Sequence, residues 1–209
     1  PNMPDGYAEF QWGTQLSAVL GKTSRAKEVK DGEGQDLEKR VFATRKGKRR
    51  TKYKAARRLR DFRYWKQVGG LPARVELNFF DNVLYGAKVH LLYRRKDKRK
   101  LGVLYSALTA KYGEPVDGTK SSIPIQERSK MRFSLADGFL QVDKLSPSPG
   151  HRGMFRFVYQ SESLGTQVMA YRQRLEGELI DQREAKRQRQ KEKKRRRSEK
   201  VLNKMKDEL

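Results

Sequence analysis

The sequence predicts an α+β protein: an antiparallel sheet of hairpins with one or two packed helices, followed by a long basic C-terminal helix. Val75, Leu77 and Phe79 alternate with polar residues, which is the period-two pattern of a half-buried strand. Apolar residues recur at helical spacing over Lys98–Tyr112. From Ser163 onward the chain has the composition of one continuous charged helix.

Near the N-terminal end, a short helix is predicted to follow the segment FQWGT. Leu16, Val19 and Leu20 sit at positions i, i+3 and i+4, so they form one apolar face. Thr14 is placed to cap this helix, and Gly21 is expected to end it.

The next stretch carries strong turn signals and few apolar residues. Asp31-Gly32-Glu33-Gly34 lies within residues 25–38, which we therefore expect to form a loop. A strand is predicted at Arg40–Thr44, and a helical stretch is predicted around Tyr53–Leu59.

A hairpin between residues 71 and 94 is the strongest structural signal. The turn pair Asp81-Asn82 separates the alternating strand from a second apolar strand at Val83–Tyr93, which predicts an antiparallel pair. The helix that follows is expected to end at Gly113, since glycine favours helix C-termini, and Pro115 prevents its restart.

A second hairpin is predicted further along the chain. Its strands are Met131–Leu135 and Phe139–Leu145, joined by Asp137-Gly138, a favoured two-residue turn. The segment SPSPG over 146–150 reads as a loop, and Met154–Tyr159 is the third strand of this group.

The tail divides into an apolar beginning and a polar remainder. Four apolar residues can dock its beginning on the domain: Leu164, Val168, Leu175 and Leu179. No large apolar residue occurs between Ile180 and Val201, so that part is expected to be a solvated helix or disordered. We therefore divide the chain into an α+β domain over residues 1–160, with a basic insertion at 39–60, and a long basic helical tail over 163–209, partly solvated or disordered when free.

The charge is concentrated in two runs. Twelve of the twenty-two residues from Lys39 to Arg60 are Lys or Arg, and none is Asp or Glu. The run Lys186–Lys200 holds ten basic residues against two acidic ones, and the formal net charge of the chain is +24. A chain this basic repels its own copies and attracts polyanions, so we expect its partner to be nucleic acid, an anionic envelope surface or an acidic protein surface.

The candidate polyanion-binding residues are the basic side chains of these runs. From the acid-free run they are Arg45, Lys46, Lys48, Arg49, Arg50, Lys52, Lys54, Arg57 and Arg58. From the tail they are Lys186, Arg187, Arg189, Lys193, Lys194, Arg195, Arg196 and Arg197. The tail cations fall on every face of a helix, so the tail is not an amphipathic membrane helix, and the alternative to binding is a merely solvated charge run.

Aromatic residues accompany the first run, with Tyr53 inside it and Phe62, Tyr64 and Trp65 just beyond. Basic side chains with interleaved rings can follow a phosphate backbone while the rings stack on exposed bases. In the alternative, the three aromatic residues beyond the run belong to a strand or loop packed on the domain, and the basic residues are solvated.

The sequence carries no signature of catalysis, and we predict a non-enzymatic protein without metal or cofactor. It has no cysteine, no Gly-rich phosphate loop, no nucleophile elbow and no metal-ligand spacing. His90 and His151 are interpreted as structural or surface groups rather than a metal pair. Asp31-Gly32, Asp117-Gly118 and Asp137-Gly138 are interpreted as turns.

Features that bear on location are few. No apolar stretch approaches the roughly 20 residues that span a bilayer, which predicts no transmembrane segment. Pro1 is compatible with a removed secretory signal, another proteolytic cut or an arbitrary boundary. The last four residues, Lys206–Leu209, spell an endoplasmic-reticulum retrieval signal, but these residue types are common in charged helices and a chance match is favoured.

Three short motifs stand out: Phe10-Gln11-Trp12-Gly13-Thr14 followed by Leu16, the hairpin Phe79–Tyr85, and the helix end Lys111–Pro115. Together they resemble a group of small exported bacterial proteins, many from delta-proteobacteria and myxobacteria and mostly of unassigned function. The resemblance covers residues 7–160 and implies an exported α+β domain with a charged tail and no catalytic residues. The basic density of Lys39–Arg60 departs from that group.

The predicted function is therefore a non-enzymatic binding or scaffolding protein that engages an anionic partner through its basic segments. The resemblance implies an exported, periplasmic or cell-envelope setting in a bacterium. The alternative is a nucleic-acid-binding protein of the cytoplasm or of a ribonucleoprotein particle, using the same basic runs on phosphates.

Overall fold

The computed structural model describes residues 6–29, 32–42, 57–94, 97–116, 130–145 and 153–207. In chain order, the elements are β1 (Gly6–Tyr7), β2 (Phe10–Gln11), α1 (Leu16–Lys22), β3 (Lys27–Glu28), α2 (Glu33–Phe42), β4 (Leu59–Val68), β5 (Leu71–Phe80), β6 (Val83–Tyr93), α3 (Lys98–Tyr112), β7 (Lys130–Leu135), β8 (Gly138–Leu145), β9 (Gly153–Gln160) and α4 (Glu162–Asp207).

The predicted fold class, an antiparallel sheet with packed helices and a long C-terminal helix, is confirmed. A seven-stranded sheet has the order β3-β4-β5-β6-β9-β8-β7, and β1 pairs with β2 in a separate two-stranded hairpin. The pairings in both sheets are antiparallel. Successive hairpins build most of the large sheet, whereas β3 pairs with β4 across α2, and β6 pairs with β9, from which it is separated in sequence by α3, β7 and β8.

The hairpin of β5 and β6 and the helix α3 are as predicted. Asp81 and Asn82 adopt φ of 50° and 63°, the left-handed pair that matches the twist of a two-residue hairpin. Helix α3 spans Lys98–Tyr112 and is followed by Gly113 at φ 77°, a conformation that suits glycine.

The second hairpin is confirmed with its turn displaced by one residue. Leu135 pairs with Gly138, so the two turn residues are Ala136 and Asp137 rather than Asp137-Gly138. Gly138 has φ 115°, and a Cβ there would clash with the carbonyl oxygen of Gln160. Glycine is therefore required at the first position of β8 instead of within the turn. The loop predicted at 146–150 lies outside the described residues.

The prediction of the first helix is correct in place but wrong in its cap. Helix α1 runs from Leu16 to Lys22, one residue beyond the predicted end. The Thr14 hydroxyl donates to the carbonyl of Gln11 at 2.7 Å instead of capping the helix. The backbone of Thr14 accepts a bond from Leu84 N at 2.9 Å, which holds it beside β6.

The loop predicted over 25–38 is wrong, because this stretch contains β3 and most of α2. The strand predicted at Arg40–Thr44 is also wrong as far as Phe42, where α2 ends. Leu37 and Val41, four residues apart, are buried on one face of α2. Glu38 is buried as well, and its hydrogen bonds make a polar residue acceptable in that position.

The helix predicted around Tyr53–Leu59 is wrong at Leu59, where β4 begins, and Tyr53–Ala56 lie outside the described residues. In strand β4 the buried residues Leu59 and Phe62 are interspersed with arginines. The sequence of this strand therefore lacks a clear alternation of apolar and polar residues. The acid-free run is therefore not a simple insertion, since its two ends belong to α2 and β4.

Two hydrophobic clusters lie on the two faces of the large sheet. One face is covered by α1, α3 and the β1–β2 hairpin, with Phe79, Phe133 and Phe155 fully buried beneath them. On the other face, α2 and the first turns of α4 pack against the end of the sheet marked by Leu59 and Phe80.

Candidate polyanion-binding surfaces

Helix α4 consists of a docked part, residues 162–180, and a projecting part, residues 181–207. Val168, Tyr171 and Leu175 are buried against α2 and the sheet, and Leu164 and Leu179 pack beside them. Every side chain from 181 to 203 is exposed, and the last hydrogen bond with the described part of the domain is the one that Gln182 Nε2 donates to the Val41 carbonyl at 3.3 Å. Residues 181–203 extend the helix by roughly 35 Å at about 1.5 Å per residue.

The start of α4 is held by Asp137, in the turn between β7 and β8. Its carboxylate accepts the backbone N–H groups of Glu162 and Ser163 at 3.2 and 3.1 Å and the hydroxyls of Ser161 and Ser163 at 2.5 and 2.7 Å. Burial alone would raise the pKa of Asp137, but these hydrogen bonds stabilise the ionised form and lower it. The turn residue thus fixes where the helix begins.

A buried carboxylate joins the docked part to the domain. Glu38 accepts the backbone N–H groups of Arg58 and Leu59 at 2.9 and 3.2 Å and the Tyr171 hydroxyl at 2.8 Å. Burial raises the pKa of Glu38 despite these bonds. One carboxylate on α2 therefore connects α4 to the first residues of β4.

The eight predicted tail cations all lie on the projecting part, and two of them are paired. Arg195 pairs with Glu199 at 2.8 Å and Arg196 with Glu192 at 2.7 Å, each within one helical turn. The other six have no ion pair with any described residue; they are Lys186, Arg187, Arg189, Lys193, Lys194 and Arg197.

Three of the six unpaired cations lie along one side of the helix. Lys186, Lys193 and Arg197 are seven and four residues apart, so at 3.6 residues per turn they share one side. Glu192 and Glu199, also seven residues apart, form a narrow stripe elsewhere on the circumference. The projecting part therefore offers an anion a continuous cationic surface.

Arg57 and Arg58, predicted to contact a partner, make ion pairs within the domain. Arg57 pairs with Glu28 at 2.6 Å. Arg58 binds Asp81 through both Nε and Nη2, and its guanidinium lies 4.5 and 4.8 Å from the ring centroids of Phe80 and Tyr171. The hydrogen bonds that Arg58 donates to Asp81 raise the pKa of Arg58. The remaining predicted cations of this run, Arg45, Lys46, Lys48, Arg49, Arg50, Lys52 and Lys54, lie outside the described residues.

A second basic surface lies on the sheet face that α2 and α4 cover at one end. Residues directly opposite each other on antiparallel strands point to the same face, so the strand register defines two rows. One row crosses seven strands: Lys27, Arg63, Glu76, Lys88, Val158, Gln141 and Arg132. The other crosses six: Trp65, Arg74, His90, Arg156, Asp143 and Lys130. We call these two rows the open face.

Cations outnumber carboxylates on the open face by seven to two. Glu76 is bonded by Arg63 at 2.9 Å, with Lys88 at 4.0 Å, and Asp143 is bonded by Arg156. Both carboxylates are therefore neutralised within the face. The surface left to a partner is cationic.

The aromatic residues beyond the acid-free run take different roles. Phe62 is buried in the core, and Tyr64 packs against the same cluster. Trp65 points to the opposite face and is 58% exposed. The packed-strand alternative is thus correct for two of the three rings, whereas Trp65 is free to meet a partner; Tyr53 lies outside the described residues.

A groove of about 690 Å³ adjoins Trp65 at the β3 edge of the sheet. Three basic side chains line it: Arg25, Lys27 and Arg63. The carboxylate in its wall, Glu28, is held by Arg57 and by Arg60 at 2.9 Å. The groove extends the cationic surface past Trp65.

The histidines form no site within the described residues. His90 lies on the open face with Nδ1 3.4 Å from Met154 Sδ, and burial together with the neighbouring Arg74 guanidinium lowers its pKa. His151 lies outside the described residues, and the described part of the chain holds no group of three or more potential metal ligands. No helix in that part is long and apolar enough to cross a membrane.

The sequence interpretation missed the open face, although its signal is present. Arg74 and Glu76 alternate with the buried Val75 and Leu77, so the positions that identify the core also identify a charged opposite face. What the alternation cannot supply is the strand order that places these residues beside Arg156 and Lys130.

No family model, curated protein or solved structure matches this chain. The resemblance to exported bacterial proteins therefore stays a prediction.

Proposed function

We propose that this protein is a non-enzymatic binding or scaffolding protein that holds an anionic partner on the projecting part of α4. The observation that carries this proposal is the contrast within one helix. Its docked part is fixed by Asp137, Glu38 and buried apolar residues, whereas its projecting part carries cations that form no ion pair with a described residue, six of them among the predicted contacts. A docked part that is held rigidly and an exposed cationic projecting part, which we call the arm, suit the binding of a polyanion.

The setting we propose is a bacterial envelope or an exported assembly, and it is supported only by the short motifs shared with exported bacterial proteins. In that setting the anion is a lipid headgroup layer or an acidic protein surface. The nucleic-acid alternative is supported by a separate observation, the exposed Trp65 among cations, because an exposed aromatic ring can stack on an unpaired base.

Neutralising the arm tests the proposal in the full-length protein. The six unpaired tail cations are changed to Gln, and a matched control exchanges the same residues between Lys and Arg so that charge is kept. Binding is measured against phosphatidylglycerol vesicles, poly-L-glutamate and duplex DNA. We expect the neutral variant to lose affinity for the true class of partner while the exchanged control keeps it. Equal affinity of the neutral variant and the wild type for all three probes would contradict the proposal.

Salt dependence adds a quantitative check on DNA. If about eight phosphates are neutralised, log affinity falls against log salt concentration with a slope of about −7, and removing six cations reduces that slope to about −2. An unchanged slope would show that the arm does not contact phosphates.

Fractionation of the source cells separates the two settings. Recovery with the envelope, unaffected by nuclease, supports the exported scaffold. Release by nuclease contradicts the envelope setting and favours the nucleic-acid alternative.

A further inference from the structure

The function proposed for the arm gives no role to the basic open face or to the exposed ring of Trp65. We propose that the open face binds single-stranded nucleic acid, with a base stacked on Trp65 and the adjoining phosphates held by Arg25, Lys27 and Arg74. This inference rests on the proposed polyanion binding but assigns a second, base-contacting surface to it.

Trp65 is surrounded by cations from three strands or their flanks. Arg74 is directly opposite it on β5, and Arg63, two residues before it on β4, is directly opposite Lys27 on β3. Arg25 and Lys27 share the groove with Trp65. Phosphates on either side of a stacked base would therefore meet a positive charge.

The cations nearest the ring are available. Arg25 and Lys27 are exposed and form no ion pair with a described residue, and Arg74 Nε is buried without a hydrogen-bond partner among those residues. Arg63 is already engaged by Glu76. Arg74 is partly exposed and forms no ion pair with a described residue, so its charge is not neutralised within the described part of the protein.

The exposed ring of Trp65 together with the cations around it favours a single-stranded nucleic acid over a duplex, an acidic polypeptide or a second copy of this chain. Base–aromatic stacking requires a planar face that is free, which a single strand offers and the interior of a duplex does not. An acidic polypeptide can use the cations but gains nothing from stacking. A second copy of this chain is disfavoured by a net charge of +24 on each.

The arm and the open face would then contribute different things. The arm supplies sequence-independent attraction that falls with salt, and stacking on Trp65 supplies contact with a base that salt weakens less. A strand that contacts both surfaces gains from the two together.

The test follows the fluorescence of Trp65 in the full-length protein. The chain has two tryptophans, so Trp12→Phe leaves Trp65 as the one reporter, with circular dichroism as the check on folding. The probes are the oligonucleotide (dT)12, a duplex of equal length, inorganic polyphosphate and poly-L-glutamate. We expect (dT)12 alone to quench Trp65 strongly.

Substitutions give the second readout. In the wild-type background, Trp65→Ala should weaken (dT)12 binding on the order of 10- to 100-fold and leave polyphosphate binding unchanged. Gln67→Ala, an exposed neighbour on the same strand and face, is the matched control and should change neither. Arg74→Gln should weaken binding of both probes.

Each other result overturns the inference in a recognisable way. Equal quenching by poly-L-glutamate would identify an acidic polypeptide as the occupant. If (dT)12 affinity is unchanged in Trp65→Ala but lost when the arm is neutralised, the proposed function stands and the open face is not the site. If neither change affects any probe, both proposals fail.

Discussion

The two parts of helix α4 have continuous secondary structure but are stabilised in different ways. In the docked part, Val168, Tyr171 and Leu175 are buried and a hydrogen bond from Tyr171 reaches Glu38 on α2. In the projecting part every described side chain is exposed, and its ion pairs are local ones within the helix. Local pairs contribute a few tenths of a kcal/mol each, whereas tertiary burial contributes several kcal/mol. Stability and partner binding should therefore respond to mutations in different parts of one helix.

The largest expected effect compares the same residue type in the two parts. Leu175 is 1% exposed and Leu202 is 55% exposed. Leu175→Ala should lower the free energy of unfolding by about 3 kcal/mol because it leaves a cavity under α4. Leu202→Ala, the matched control, should change it by less than about 0.5 kcal/mol. Urea unfolding measures both, and similar losses would mean that the projecting part is also packed.

Removing the Glu38 carboxylate should have the next largest effect. Glu38→Ala leaves the N–H groups of Arg58 and Leu59 and the Tyr171 hydroxyl without their acceptor, which should cost about 2–3 kcal/mol in free energy of unfolding. Thermal and urea unfolding at constant pH measure this loss. A neutral result would show that water replaces the carboxylate and that this contact does not hold α4.

Glu38→Gln isolates the charge of the same side chain. The pKa of Glu38 is raised above its ordinary 4.5, so the folded state holds its proton more tightly than the unfolded chain. The contribution of Glu38 is therefore most favourable below pH 4.5 and declines as pH rises through the raised folded pKa. Glu38→Gln should flatten stability against pH over that interval. An unchanged profile would assign the pH dependence to other groups.

Local sequence signals predicted the secondary structure correctly where a turn or a helix end determines the backbone conformation. They failed where polar side chains are buried and hydrogen-bonded through tertiary contacts. The Asp81-Asn82 hairpin and the end of α3 follow from backbone preferences that the residues carry with them. Helix α2 was missed because Glu38 looks like a surface residue until Tyr171, more than a hundred residues away, and β4 are beside it. No sequence pattern predicts the hydrogen bond between Tyr171 and Glu38.

The candidate site divides in the same way. The six unpaired tail cations were predictable because an exposed charged helix shows its composition directly. The internal contacts of Arg58 could not be predicted from the sequence, since its partners Asp81 and Tyr171 come from the β5–β6 turn and from α4. Trp65 and Arg74 become one surface only through the pairing of β4 with β5.

A smaller effect is expected at the start of the docked part. Asp137→Ala removes four hydrogen bonds from the first turn of α4 and should cost about 1 kcal/mol, typical of a helix cap. Because the pKa of Asp137 is lowered from 3.8, its contribution is present above that pH and disappears as pH falls through the lowered folded value. Urea unfolding at neutral and acid pH measures the difference. Asp137→Asn, which keeps one acceptor oxygen, is the control and should lose less.

The smallest effect on stability is expected from the acidic residues of the projecting part. Changing Glu192 and Glu199 to Gln removes two exposed i,i+4 pairs, worth about 0.3–0.5 kcal/mol each to the local helix, and should leave the melting temperature of the domain unchanged. The same change frees Arg195 and Arg196, so the salt slope of duplex DNA binding should steepen by up to about 2 if both reach phosphates. Glu178→Gln, which frees Arg174 in the docked part, controls for net charge alone. If the control steepens the slope per charge as much as the double variant does, overall charge governs binding. If the control leaves the slope unchanged, binding depends on the position of the cations along the arm.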